Sequence, residues 1–184
     1  MKKMIISVLG KDRPGIIAAV TKILFEQNCN IENVSQTILQ SEFSGIFIVG
    51  VPRSLSDTAL HQKLEEGLVP LGLHVYEKAI SENGEPTSPI ESEPFVITTK
   101  GPDRKGLVAA ITGIMAKYNV NVTNLQAVFK GGDNPNANIM IYEVDIPRDI
   151  DQKALRRELR ETALSLKLDI SIQHKLIFET INRV

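Results

Sequence analysis

The strongest constraint on what this chain can fold into is that its sequence is written twice. Gly10-Lys11-Asp12-Arg13-Pro14-Gly15-Ile16-Ile17 is matched by Gly101-Pro102-Asp103-Arg104-Lys105-Gly106-Leu107-Val108 at a constant offset. The match runs on without a gap through Asn28, Asn30 and Asn33 onto Asn119, Asn121 and Asn124. Further along, Val51-Pro52 meets Ile146-Pro147 and Ala59-Leu60 meets Ala154-Leu155, with the offset lengthened by a short insertion. The insertion falls in the turn-forming cluster Gly131 to Asn136, where it lengthens a hairpin without disturbing the strands it joins. A unit repeated over half the chain implies two small cores rather than one large one.

Each copy reads in the same order. In the first, Met4 to Leu9 is a β-rich run and Gly10 to Gly15 a breaker cluster; Ile16, Ile17, Val20, Ile23 and Leu24 then recur at helical spacing until Asn28-Cys29-Asn30. Two strands follow, over Ile31 to Leu39 and Phe43 to Val51, turning at Gln40-Ser41-Glu42. Pro52 and Ser54 to Asp57 open a second amphipathic helix with Leu60, Leu64 and Leu68 inward, and Leu73 to Ile80 is the last strand. The second copy runs through Pro94 to Lys100, Leu107 to Tyr118, Val122 to Phe129, Ala137 to Asp145, Ile150 to Leu166 and Leu168 to Phe178. This βαββαβ order predicts an α+β chain of two ferredoxin-like modules, each a four-stranded antiparallel sheet with two helices on one face. The modules span 1–80 and 94–184, and the polar, Pro- and Ser-rich stretch 81–93 is a linker.

The informative residues lie where the first strand gives way to the first helix. Gly10 and Gly15 allow a sharp turn and leave no side chain in front of the backbone, and Pro14 suits a first helical turn. Free N–H groups at the helix start, with the positive end of the helix dipole, suit a carboxylate or phosphate. Asp12 either caps the helix or holds a cation beside that anion site, and Asn30 adds an amide that donates and accepts. Together they would suit a zwitterion such as an α-amino acid. The alternative is turn chemistry alone, with Asp12 as N-cap and Asn28 and Asn30 in a left-handed turn.

At these residues the sequence resembles a known family, the ACT domain, a small amino-acid-sensing regulatory module. Asp12-Arg13-Pro14-Gly15-Ile16 and Asp103-Arg104-Lys105-Gly106-Leu107 are similar to its strand-to-helix loop, and Asn28-Cys29-Asn30-Ile31 and Asn119-Val120-Asn121-Val122 to its entry to the second strand. Within the family, two modules with a Gly-x-Asp-Arg-x-Gly opening most resemble the group of glycine cleavage system transcriptional repressors. The same opening occurs in formyltetrahydrofolate deformylases and some phosphoserine phosphatases, whose catalytic domain is not expected here. The resemblance implies ligand binding by Asp12, Gly15, Ile16 and Asn30, with Asp103, Gly106, Leu107 and Asn121 in the second copy; Ile16 and Leu107 would act through backbone N–H groups. The ligand would be a small amino acid such as glycine or serine, bound where modules pair. The partner would be a protein, either a transcription activator or an enzyme of amino-acid or one-carbon metabolism. Lys105 departs from the first copy's Pro14, which makes the second loop less rigid and adds a cation.

Other functions find less support. With 21 basic against 22 acidic residues the net charge of −1 offers no general attraction to nucleic acid or to an anionic membrane, and no apolar run approaches the roughly 20 residues that cross a bilayer. His61, His74 and His174 lack zinc spacing, no nucleophile has a partnered base, and no cofactor or metal is expected, so the chain reads as a non-enzyme. Arg13 and Arg104 are the residues through which an acylphosphatase-like activity would act. Phe47 and Tyr142 are read as packing groups rather than base-stacking platforms. Arg156, Arg157 and Arg160, interleaved with Glu158 and Glu161, are read as a solvated helix face. A lone cysteine, Cys29, fits a turn residue in the cytoplasm. A ligand-free adaptor is the alternative function, and paired sheet edges or helical faces predict a homodimer.

Overall fold

A computed structural model describes residues 1–80, 91–128 and 138–177. The chain divides into two compact units, Met1–Glu85 and Pro86–Val184. The first comprises β1 (Lys2–Lys11), α1 (Ile16–Glu26), β2 (Asn30–Leu39), β3 (Glu42–Val51), α2 (Asp57–Leu68), a short 3-10 turn Val69–Leu71, and β4 (Leu73–Ala79). The second repeats the order in β5 (Ser92–Gly101), α3 (Leu107–Lys117), β6 (Asn121–Val128), β7 (Asn138–Pro147), α4 (Gln152–Ser165) and β8 (Asp169–His174). Both sheets have four antiparallel strands, in the orders β2-β3-β1-β4 and β6-β7-β5-β8. These are the βαββαβ modules that the repeat predicted.

The alternation of side chains along a strand decides which sheet face is covered. On β1, Met4, Ile6 and Val8 are buried, and they share one core with Val20 and Leu24 of α1 and Leu60, Leu64 and Leu68 of α2. Ile97 and Met140, Tyr142 and Val144 do the same beneath Ile111 and Met115 of α3 and Leu155 and Leu159 of α4. Phe47 and Tyr142 are fully buried in these layers, so neither ring can stack on a base. Ser56 and Asp151 cap α2 and α4, accepting from Ala59 N–H and from Lys153 and Ala154 N–H.

Several sequence expectations shift in detail. Strand β5 begins at Ser92, so Ser92 and Glu93 belong to the sheet rather than to a linker ending at residue 93. Strand β8 ends at His174, short of Phe178, where the backbone turns helical over residues 175–177. Pro14 precedes the helix instead of opening it, since Gly15 at φ 95° is the N-cap. Gly10 lies inside β1, not in the loop; a Cβ there would stand 2.7 Å from the Gly72 carbonyl oxygen, so it is glycine for close approach to β4. Gly101 repeats the contact with the Lys167 carbonyl oxygen, also at 2.7 Å. The lengthened hairpin Gly131 to Asn136, most of the linker, Phe129, Ala137 and Phe178 lie outside the described residues.

Candidate functional site

The two strand-to-helix loops adopt one shape. Gly15 and Gly106 sit in the left-handed region at φ 95° and 89° with nothing within 4 Å of a would-be Cβ, so backbone conformation rather than space requires glycine there. Each accepts the first intrahelical hydrogen bond, from Ala19 N–H or Ala110 N–H at 2.9 Å. That geometry leaves the N–H groups of Ile16, Ile17 and Ala18, and of Leu107, Val108 and Ala109, without intrahelical acceptors. No side chain caps either end, and neither helix carries an acid in its first turn. Asp12 is therefore not the N-cap. Its side chain is exposed, while its backbone N–H donates to the Ser41 carbonyl at 2.7 Å and ties the loop to the β2–β3 hairpin.

In front of each helix start lies a crevice. The first, of about 220 Å³, is lined by Asp12, Arg13, Gly15, Ile16, Ile17, Ala18, Gln36 and Phe43. The second, of about 420 Å³, is lined by Asp103, Arg104, Gly106, Leu107, Val108, Ala109, Asn138 and Met140. Six of the eight sequence-predicted positions thus fall on these crevices: Asp12, Gly15 and Ile16 on one, Asp103, Gly106 and Leu107 on the other. Ile16 and Leu107 are themselves buried residues, 3% exposed each.

Asn30 and Asn121 do not join them within a module. Asn30 pairs with Gly50, which pairs with Lys3, whereas the loop leaves β1 beyond Gly10. At about 3.3 Å per residue, Asn30 sits roughly 20 Å away at the other end of the sheet, and Asn121, opposite Asp145 and Pro94, repeats that position. Of the left-handed turn, only Asn28 at φ 53° and its equivalent Asn119 at φ 55° take part; Asn30 opens β2.

The sequence reading missed the strand residues that floor the crevices. Phe43 opposes Gly10 and Asn138 opposes Gly101, so the two are equivalent, and Gly45 is likewise replaced by Met140. The Phe43 ring lies against Gly45, where a Cβ would meet it at 2.7 Å. Asn138 is 4% exposed, and neither its Nδ2 nor its Oδ1 has a hydrogen-bond partner. The signal was present: Asn138 is in phase with the inward series Met140, Tyr142, Val144 and Ile146, and a polar residue in such a series is the informative exception.

Other candidate groups are engaged elsewhere. His61 Nδ1 lies 2.9 Å from Glu77 Oε2 and its Nε2 lies 3.4 Å from Glu65, contacts that raise its pKa, chiefly through the hydrogen bond to Glu77. His74 is exposed on β4, and His174 meets the Phe95 ring edge-on at 5.1 Å. Arg156 stacks over Phe95, and Glu158 accepts from Lys117 at 2.8 Å and from the Tyr118 hydroxyl at 2.7 Å, so this helix face is occupied by local contacts. Burial pushes the Cys29 thiol pKa up. Among the described residues no three His, Cys, Asp or Glu side chains gather as metal ligands, and no helix is long and apolar enough to cross a membrane.

Comparison with known proteins places this geometry in context. The family model for the ACT domain matches twice, over residues 2–76 and 93–173. The UPF0237 protein of Methanocaldococcus jannaschii is 40% identical over 76 residues, 41% of this chain and 84% of that protein. The UPF0237 protein of Corynebacterium glutamicum is 45% identical over 71 residues, 35% of this chain and 80% of that protein. Among solved structures, an unknown protein from Galdieria sulphuraria superposes with a TM-score of 0.76 at 22% identity, covering 94% of this chain and 98% of that one. A candidate glycine cleavage system transcriptional repressor does so with a TM-score of 0.62 at 20% identity, covering 94% and 96%. At these identities both likenesses concern the fold.

Proposed function

The chain belongs to the ACT-domain family, and on that premise we propose that it is a non-catalytic regulatory protein that senses a small amino acid and passes the signal to a protein partner. The observation that carries this reading is the duplicated crevice, lined in each module by a helix start whose first three N–H groups lack intrahelical acceptors, by its glycine N-cap and by Asp12 or Asp103. Such amides and the helix dipole attract a carboxylate, and the neighbouring acid attracts an ammonium group. A small zwitterion such as glycine or serine presents both a few ångströms apart.

Signalling would follow from differential affinity: the ligand favours one packing of modules, and the partner favours one of the packings. The edge strand β2 suits such packing, because Val34, Ile38 and Leu39 are 43%, 51% and 75% exposed along an unpaired edge. An exposed sheet edge is a surface on which two copies of the chain can pair, which is the ground for reading it as a homodimer. Control of transcription is the part of the reading drawn from the candidate glycine cleavage system transcriptional repressor. The lone thiol of Cys29 suits a reducing cytoplasm.

Isothermal titration of the chain against the twenty amino acids tests the reading. One small amino acid is expected to bind and the rest not. A flat response to all twenty would replace the sensor with an adaptor. Turnover of an acyl phosphate that disappears in Arg13→Ala or Arg104→Ala would overturn the non-catalytic assignment.

A further inference from the structure

We propose that the two modules divide their labour: the second crevice is the amino-acid receptor, and the buried Asn138 carboxamide is its specificity-determining contact. This rests on the amino-acid-sensing reading above and adds the module, the residue and the orientation of the ligand.

Three observations converge on Asn138. First, its carboxamide is buried with neither the donor nor the acceptor end partnered, an arrangement that costs stability and calls for a reason. Second, the residue lines the crevice in front of α3, whose first N–H groups have no intrahelical acceptor. Third, the equivalent position in the first module is Phe43, whose ring fills the space over Gly45, and that crevice is about half the size, 220 Å³ against 420 Å³. Only the larger falls within the range of small-molecule sites, which begins at about 300 Å³.

The chemistry selects the class of ligand. A carboxamide needs an acceptor for its N–H and a donor for its oxygen. A fully deprotonated inorganic anion such as sulfate supplies the first and not the second. An α-amino acid supplies both: its carboxylate accepts from the α3 amides at Leu107 and Val108 and from Asn138 Nδ2, and its ammonium donates to Asn138 Oδ1 and faces Asp103. A small side chain is left against Met140, which restricts the ligand to small amino acids.

The experiment is titration calorimetry of the full chain with each of the twenty amino acids, and with inorganic sulfate, repeated on Asn138→Leu, Asn138→Ala and, in the first crevice, Gln36→Leu. The expected result is one bound amino acid per chain, no competition by sulfate, a loss of affinity of about 10- to 100-fold in both Asn138 variants, and none in Gln36→Leu. Circular dichroism and melting of the Asn138 variants guard against misfolding; both are expected to melt no lower than the parent. Binding that survives in both Asn138 variants within threefold overturns the assignment of the receptor while leaving the sensing reading intact. So does binding lost in Gln36→Leu alone, or sulfate that displaces the amino acid. Absence of binding by the parent chain overturns both.

Discussion

The two modules share a backbone plan and differ in what they bury beneath the same loop. In the first, Val8, Phe47, Phe43 and Gly45 make an apolar floor in which an aromatic ring occupies the space over a glycine. In the second, the equivalent positions are Thr99, Tyr142, Asn138 and Met140. Tyr142 donates to the Met140 sulfur at 3.4 Å, and Thr99 faces the phenol without closing a hydrogen bond of good geometry. Among the described residues, the buried side-chain polar atoms without a hydrogen-bond partner are Thr99 Oγ1 and the two amide atoms of Asn138. Duplication preserved the fold while polar groups collected at one of its two cores, and polarity at a core is costly unless it serves binding.

The largest expected effect sharpens this contrast at the equivalent aromatic pair. Phe47→Ala should cost about 3–5 kcal/mol, because it opens a cavity in a dry core. Tyr142→Phe should change stability by less than about 1 kcal/mol, since it removes one weakly paired hydroxyl and keeps the ring. Chemical denaturation of both variants measures the difference, and equal costs would break the distinction between the cores.

Next in size is Asn138→Leu, expected to stabilise the unliganded chain by about 1–3 kcal/mol by removing an unpaired buried amide. Its first-module counterpart, Phe43→Leu, should instead destabilise, as a well-packed ring is lost. Thermal melts of the two variants should move in opposite directions.

The loops themselves should respond alike. Gly15→Ala and Gly106→Ala each place a Cβ at positive φ in open space, at a cost of about 1–2 kcal/mol from backbone conformation alone. A clear inequality between them would show that Lys105, in place of Pro14, has changed the second loop's energetics.

The smallest effect concerns pH. Hydrogen bonding to Glu77 raises the His61 pKa above its ordinary 6.5. The stabilisation is therefore fully present below pH 6.5 and lost as pH rises through the folded-state value. Glu77→Gln should flatten that dependence in melts between pH 5 and 8. The second module offers no equivalent, because Arg156 and Ile172 stand in place of His61 and Glu77.

The fold was legible because the repeat gave two independent readings of each element, and the alternation in Met4, Ile6 and Val8 or the helical spacing of Leu60, Leu64 and Leu68 fixed which faces turn inward. The loops were legible for a similar reason, since glycine at Gly15 and Gly106 marks a backbone requirement that sequence displays directly. The role of Asp12 was not, because capping depends on which residue takes the N-cap, and Gly15 takes it without help from any side chain. Asn30 was grouped with the loop for its amide chemistry as well as by resemblance, and the strand register carries it to the far end of the sheet. Asn138 escaped notice because it lies just past the lengthened hairpin, where the offset between the copies changes and its equivalence to Phe43 is hard to see without the register.

The most direct test of unequal crevices is a two-dimensional amide NMR spectrum of the labelled chain, recorded as the amino acid selected by calorimetry is added. Saturable shifts at the backbone amides of Leu107, Val108 and Ala109 and at the Asn138 side-chain NH2, with Ile16, Ile17 and Ala18 unmoved, are the predicted result. Shifts confined to Ile16, Ile17 and Ala18, or an Asn138 side-chain signal unchanged at saturation, would contradict it.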